Sequence, residues 1–381
     1  MKLRSLLLRT TVIGLPLAFS LGHLAFGPSA GASGEPAKFS NVLLGFAGNR
    51  IESGAAAATI AGGGRYGFPN RVLGEMGTIG GGAGNEAAAK ATVAGGAGNR
   101  ASGLRTTIGG GENNTATLDS ATIGGGYGNY AGASHATVGG GMSNSALEVD
   151  ATVGGGSGNQ ARERHATVGG GSVNQAGGFA SVVSGGVYNV AAATYATVGG
   201  GTANVSGGIE STVGGGGGNK ASGEAATVGG GMNNQVTGPY GTIGGGRGNQ
   251  AGGAYAAVGG GLDNKALGAF SVVPGGAQNA AAGDYSLAAG FRAKVAPGHD
   301  GAFLYADHKE FDFPSTGPDE FAVRATGGVR LVTGLDDSGR PLAGARLRPG
   351  GGAWETLCDR QAMTDLTPVD GREILEKLGT L

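Results

Sequence analysis

A single cysteine, Cys358, in 381 residues leaves no partner for a disulfide within the chain, which suits a protein that crosses an oxidising compartment. Charge is scarce as well: Asp, Glu, Lys and Arg make up 14% of the residues, and the formal net charge is −1. That balance gives no electrostatic pull toward nucleic acid or an anionic membrane. After the first thirty or so residues no apolar run is long enough to cross a membrane as a helix. Nothing near the C-terminus alternates in the manner of transmembrane barrel strands.

Glycine is abundant instead, at 87 residues, and with so little charge this argues against one ordinary globular core. Glycine at that level without a period indicates disorder, and a period of three indicates collagen. The period here is fifteen. Over 91–285 one unit is written thirteen times without a slip, and the copy 151–165 reads A-T-V-G-G-G-S-G-N-Q-A-R-E-R-H. A β-branched residue recurs from Val93 through Val153 to Val273. Glycines stand two and three places after it (Gly95 and Gly96, Gly155 and Gly156, Gly275 and Gly276), and asparagine six places after it (Asn99, Asn159, Asn279).

A unit this short cannot bury its own apolar side chains and does so only against its neighbours, the logic of a solenoid. Its apolar part is three or four residues of Ala, Thr and Val closed by glycine, which predicts a strand. The fold class is therefore all-β, a parallel β-roll or β-helix of fifteen-residue coils. With strands about 4.8 Å apart, thirteen coils make a rod on the order of 60 Å long. Alternation turns Ala and Val to one face and Thr to the other. The double glycine fits a bend with positive φ or a close approach between coils. Stacked asparagines suit a ladder of hydrogen bonds.

The ends differ from the middle. Lys2 and Arg4, an apolar stretch from Leu6 to Phe26, and Ala30-Gly31-Ala32 together read as an export signal over 1–32 with a small-residue cleavage site. Residues 33–90 carry the same grammar with irregular spacing and read as capping coils, and 91–290 as the regular roll. A neck and hairpin are expected over 291–348, with strands at 321–333 around Gly327-Gly328, a turn at Asp336-Asp337-Ser338-Gly339 and a short strand at 345–348. Phe303, Tyr305, Asp307 and His308 read as a neck between protomers. Asp370 caps an expected short helix over 371–378.

Two resemblances follow from these residues. The repeat, most closely Asp284-Tyr285-Ser286-Leu287-Ala288-Ala289-Gly290, resembles the head repeats of YadA-like trimeric autotransporter adhesins. That resemblance implies a left-handed β-roll, a homotrimer and a role in attachment to surfaces. The units here have one residue more than the commonest family repeat, and a triple glycine. The second stretch runs from Pro349 through Trp354, Cys358, Asp359 and Arg360 to Leu378, and resembles the entry to the intramolecular chaperone domain of phage tail fibres and endosialidases, covering 349–381. The family cuts itself with a serine before Asp-Arg and a lysine five places on. Those positions are Cys358 and Met363 here, so no base stands ready to activate a nucleophile and no self-cleavage is expected.

Candidate sites are few. The Gly-Gly-Gly runs lack the Lys-Ser or Lys-Thr of a phosphate loop, and the repeat lacks the nine-residue Asp pattern of calcium-binding rolls. Three places before each branched residue lies a variable column whose last members, Tyr240, Tyr255, Phe270 and Tyr285, form an aromatic ladder with the chemistry to bind sugar rings or simply to pack. In the same column His135, Asp150 and His165 have the residue types of a metal site, against the plainer reading of a charge-paired ladder. No cofactor is expected. The expected partners are two further copies of the chain and a surface glycan or matrix protein. The expectation is a non-enzymatic, secreted or cell-surface adhesin head or structural fibre. The alternative is a tail-fibre-like spike that degrades polysaccharide or binds a receptor, although acidic residues such as Glu148, Glu163 and Glu224 form no recurring pair.

Overall fold

A computed structural model describes residues 39–358 together with Arg372 and Glu376. The expected signal at 1–32 and Met363 lie outside these residues, as does most of the expected helix, whose two described positions are helical. The chain is an all-β parallel β-solenoid of coils of about fifteen residues, divided into two compact units, Met1–Gly216 and Gly217–Leu381.

The coil at 151–165 shows why the repeat folds as it does. Thr152–Val153 is one two-residue strand and Gln160–Ala161 a second, and Ser157 bridges Met142 and Ser172 of the adjacent coils between them. Each coil thus pairs with its neighbours along three sides. The composition had suggested a single strand per coil. On the second side the Ala two places beyond each Asn reads as a small inward residue, and Ala161 is buried, but one apolar residue is too little to signal a strand.

Ala151, Val153, Asn159 and Ala161 point inward and are fully buried. Their small volumes fit a narrow core, and burying a valine such as Val153 contributes about 1.5–3 kcal/mol. Thr152 faces out and is half-buried. Gly156 turns the first corner at φ +87°, where a Cβ would overlap Gly171 O and crowd Asn159 Nδ2. Only glycine satisfies both demands.

In the first unit the regular coils are preceded by irregular ones. Val42 lies opposite Thr59, Thr59 opposite Thr78, and Thr78 opposite Thr92, so unequal coil lengths still deliver the strands in register. The extra length is taken up at the corners, where Arg65 and Phe68 pair in a small antiparallel turn. Arg71 ties this end together across three coils, reaching Glu52 at 3.2 Å and Glu86 at 3.1 Å.

In the second unit the parallel pairing runs further than the sequence suggests. Leu287–Gly290 pairs with Phe303–Ala306, which pairs with Phe321–Arg324, all parallel. The hairpin expected at 321–333 is therefore a misreading: Phe321–Arg324 closes the solenoid, and Gly327-Gly328 is the exit from it. The antiparallel sheet comes later, with Pro341–Leu347 between Val329–Leu335 and Trp354–Cys358. Its first connection is the expected Asp336 turn, where Asp336 Oδ1 accepts from the amides of Ser338 and Arg340. The short strand expected at 345–348 is the end of Pro341–Leu347.

Candidate ligand-binding surface

Each coil re-enters its Thr–Val strand through a residue in the left-handed region: φ is +59° at His165, +58° at Tyr240, +57° at Tyr255 and Phe270, and +56° at Tyr285. An L-residue gives up roughly 1–2 kcal/mol to sit there. The main chain holds it in place, since the Tyr255 and Tyr285 amides donate to Pro239 O and Ala269 O of the preceding coil at 2.9 and 2.8 Å. The side chain is thereby thrown outward, one per coil, into a column along the corner.

Where that column is aromatic, the coil spacing sets the ring spacing. Tyr240 and Tyr255, Tyr255 and Phe270, and Phe270 and Tyr285 have centroids 4.9, 4.9 and 5.0 Å apart with planes within 7°. These are stacked pairs, so both faces of Tyr255 and Phe270 are covered by their neighbours. A sugar ring, which binds aromatics through their faces, finds none free along the middle of the ladder. The ladder thus serves packing within, and offers a ligand only its outer edges and its two ends. Tyr240 at one end donates its hydroxyl to Glu224 Oε1 at 3.1 Å.

In the first unit the corresponding corner positions carry charges. Asp150 Oδ1 lies 3.5 Å from His135 Nδ1 and Asp150 Oδ2 lies 3.6 Å from His165 Nδ1. The carboxylate takes one imidazole on each side, continuing the pairs Lys90 with Glu75 and Arg105 with Asp119. Among the described residues no three His, Cys, Asp or Glu side chains are placed to hold a metal ion. His165 also meets Phe179 edge-on at 5.5 Å, and Phe179 meets Tyr195 at 5.7 Å.

The asparagine column is internal and fully engaged. Asn159 Nδ2 donates to Gly155 O at 2.8 Å and to Gly171 O of the next coil at 2.9 Å, while Asn174 N–H donates to Asn159 Oδ1 at 2.9 Å. Asn99 and Asn279 repeat the pattern. The ladder is thus mainly side chain to backbone; direct amide contacts between asparagines occur at Asn114 and Asn279. Gly96 and Gly276 match Gly156, whereas a Cβ on Gly95 or Gly275 meets nothing within 4 Å. Cys358 ends the strand Trp354–Cys358, opposite Ala343.

Phe303 and Tyr305, expected in a neck, stand outward beside Phe321 and Val323, which the sequence reading missed; the four lie on adjacent parallel strands, exposed between 36% and 75%, an apolar patch below Leu287. Its signal was the strict alternation of 303–306 and 321–324. Beside it Arg324 closes the end of the stack. Its Nε donates to Asp307 Oδ1 at 2.9 Å, and its Nη groups reach the carbonyls of Phe291, Asp307, Lys309 and Phe311. The Thr326 hydroxyl and amide, which donate to Asp307 Oδ2, and Arg324 together hold the Asp307 carboxyl well below the usual carboxylate range.

No family model matches the chain, and a search of curated proteins finds no match.

Proposed function

We propose that the protein is an exported fibrous surface protein, an adhesin head or structural fibre that acts as a homotrimer and presents its side-chain columns to a surface glycan or matrix protein. The observation that carries this reading is the stacking itself. Each coil repeats one main-chain path and throws one corner side chain outward, so a surface meets side chains at a regular interval on a scaffold whose buried asparagines fix the spacing. The exposed patch of Phe303, Tyr305, Phe321 and Val323 supports self-association, since an apolar area of this kind favours leaving water.

Beads coated with the purified protein are expected to attach to glycan arrays or matrix-protein films. Absence of attachment to either, or release of reducing ends from a polysaccharide, overturns this reading.

A further inference from the structure

The aromatic column stops at Tyr285, and the way it stops points to a ligand. We propose that the uncovered face of Tyr285 binds a cationic side chain, the guanidinium or ammonium group of a basic segment in a partner protein. This rests on the adhesin reading, which it sharpens by naming the ligand.

At every inner junction of the ladder one ring covers the next. Beyond Tyr285 the corner position is taken by Gly301, at φ +70°, and then by Asp319, at φ +54°. The main-chain pattern continues unbroken, with the Gly301 amide donating to Asp284 O and the Asp319 amide to Asp300 O, both at 2.8 Å. Only the side chain is missing. A Cβ built on Gly301 lies 2.5 Å from Asp319 Oδ1, so the carboxylate takes the space where a side chain at 301 would begin. The corner position between Tyr285 and Asp319 thus carries no side chain of its own. Tyr285 is 69% exposed, against 44–50% for Tyr240, Tyr255 and Phe270.

Three carboxylates, Asp284, Asp300 and Asp319, stand at or beside this corner on successive coils. Asp284 and Asp300 precede the corner on successive coils, each fixed by one oxygen to a backbone amide at 2.8 Å, of Ala269 and Asp284 respectively. No ion pair reaches Asp284, Asp300 or Asp319 among the described residues. A free π face beside carboxylates attracts a cation through the ring quadrupole and through charge together. A neutral glycan gains nothing from the charge, and cannot extend along a ladder whose inner faces are covered. The opposite end differs: Ala225 stands in place of the glycine, and Glu224 is tied to the Tyr240 hydroxyl.

The test uses the full chain and a fluorescein-labelled octa-arginine peptide, with cellohexaose as the neutral comparison. The expected result is saturable peptide binding that weakens about tenfold in Tyr285→Ala, stays within about twofold in Tyr285→Phe, which keeps the ring face, and is unchanged in Tyr240→Ala. Asp319→Asn leaves the ladder intact and is expected to weaken binding severalfold, which keeps the test decisive should Tyr285→Ala misfold. The proposal is overturned if the wild-type chain does not bind the peptide, if both Tyr285→Ala and Asp319→Asn bind it like wild type, or if cellohexaose alone competes for Tyr285. Bead attachment is scored separately: attachment that survives Tyr285→Ala removes this site from the adhesive surface and leaves the adhesin reading standing, whereas a wild-type chain that attaches to nothing removes that reading.

Discussion

At the scale of single residues the coil depends on groups that have no substitute. Asn159 satisfies two carbonyls and one amide inside the stack. Removing it in Asn159→Ala takes the partner from Gly155 O and from the Asn174 N–H, each at a cost of about 1–3 kcal/mol where water cannot reach, while Gly171 O keeps the Ser157 amide as its donor. Asn159→Asp is expected to be worse near neutral pH, because a carboxylate then faces two carbonyl oxygens, and to recover in part as acid protonates it. Thermal melting of the three proteins at pH 7 and pH 4 checks the order. Gly156→Ala should likewise lower the melting temperature while Gly155→Ala leaves it nearly unchanged, since only the former clashes with the next coil. The asparagine and glycine columns were legible because identical side chains recurred at one interval. Their division of labour was not, because a repeat shows that a position is constrained without showing whether a carbonyl or a side chain constrains it.

At the scale of the element, the left-handed corner sets backbone strain against side-chain stacking, and the balance differs from coil to coil. Ala225 carries the strain, at φ +49°, with no ring to offset it. Ala225→Gly is therefore expected to raise stability by about 1 kcal/mol. Phe270→Gly relieves the same strain but removes two stacked neighbours, each worth about 0.5–1.5 kcal/mol, and is expected to destabilise. Chemical denaturation of both variants would show opposite signs; a gain from Phe270→Gly would mean that the ladder contributes nothing to the fold. The aromatic column could be read from its spacing, but the left-handed backbone beneath it could not, because tyrosine has no preference for that region.

The closing coil makes a second element-scale case. Asp307 has a depressed pKa when folded, so its contribution is fully present above the ordinary unfolded value of about 3.9 and fades as pH falls toward the displaced one. Melting of the wild-type chain is expected to drop between about pH 4 and pH 2 more steeply than that of Asp307→Asn. This coil was mistaken for a hairpin because Gly327-Gly328 is a strong turn signal. Non-local pairing of Phe303–Ala306 with Phe321–Arg324 overrode it.

At the scale of the whole molecule, the open question is what covers the outward apolar side chains near the end of the second unit. In this column Thr242 gives way to Ala257, Val272, Leu287, Phe303 and Phe321 in successive registers. The polar threonines keep the column wettable earlier in the chain, and the change to large apolar groups happens where the fifteen-residue spacing also relaxes. If three copies meet there, replacing Phe303 and Phe321 with Asp should leave each solenoid folded, because both side chains point away from the core, yet place charge in the contact and separate the copies. Sedimentation equilibrium is expected to give a trimer for the wild-type chain and a monomer for the double variant, with matching far-ultraviolet circular dichroism. A wild-type monomer would sink the homotrimer, and a double variant that remains trimeric would move the contact to another face of the coils.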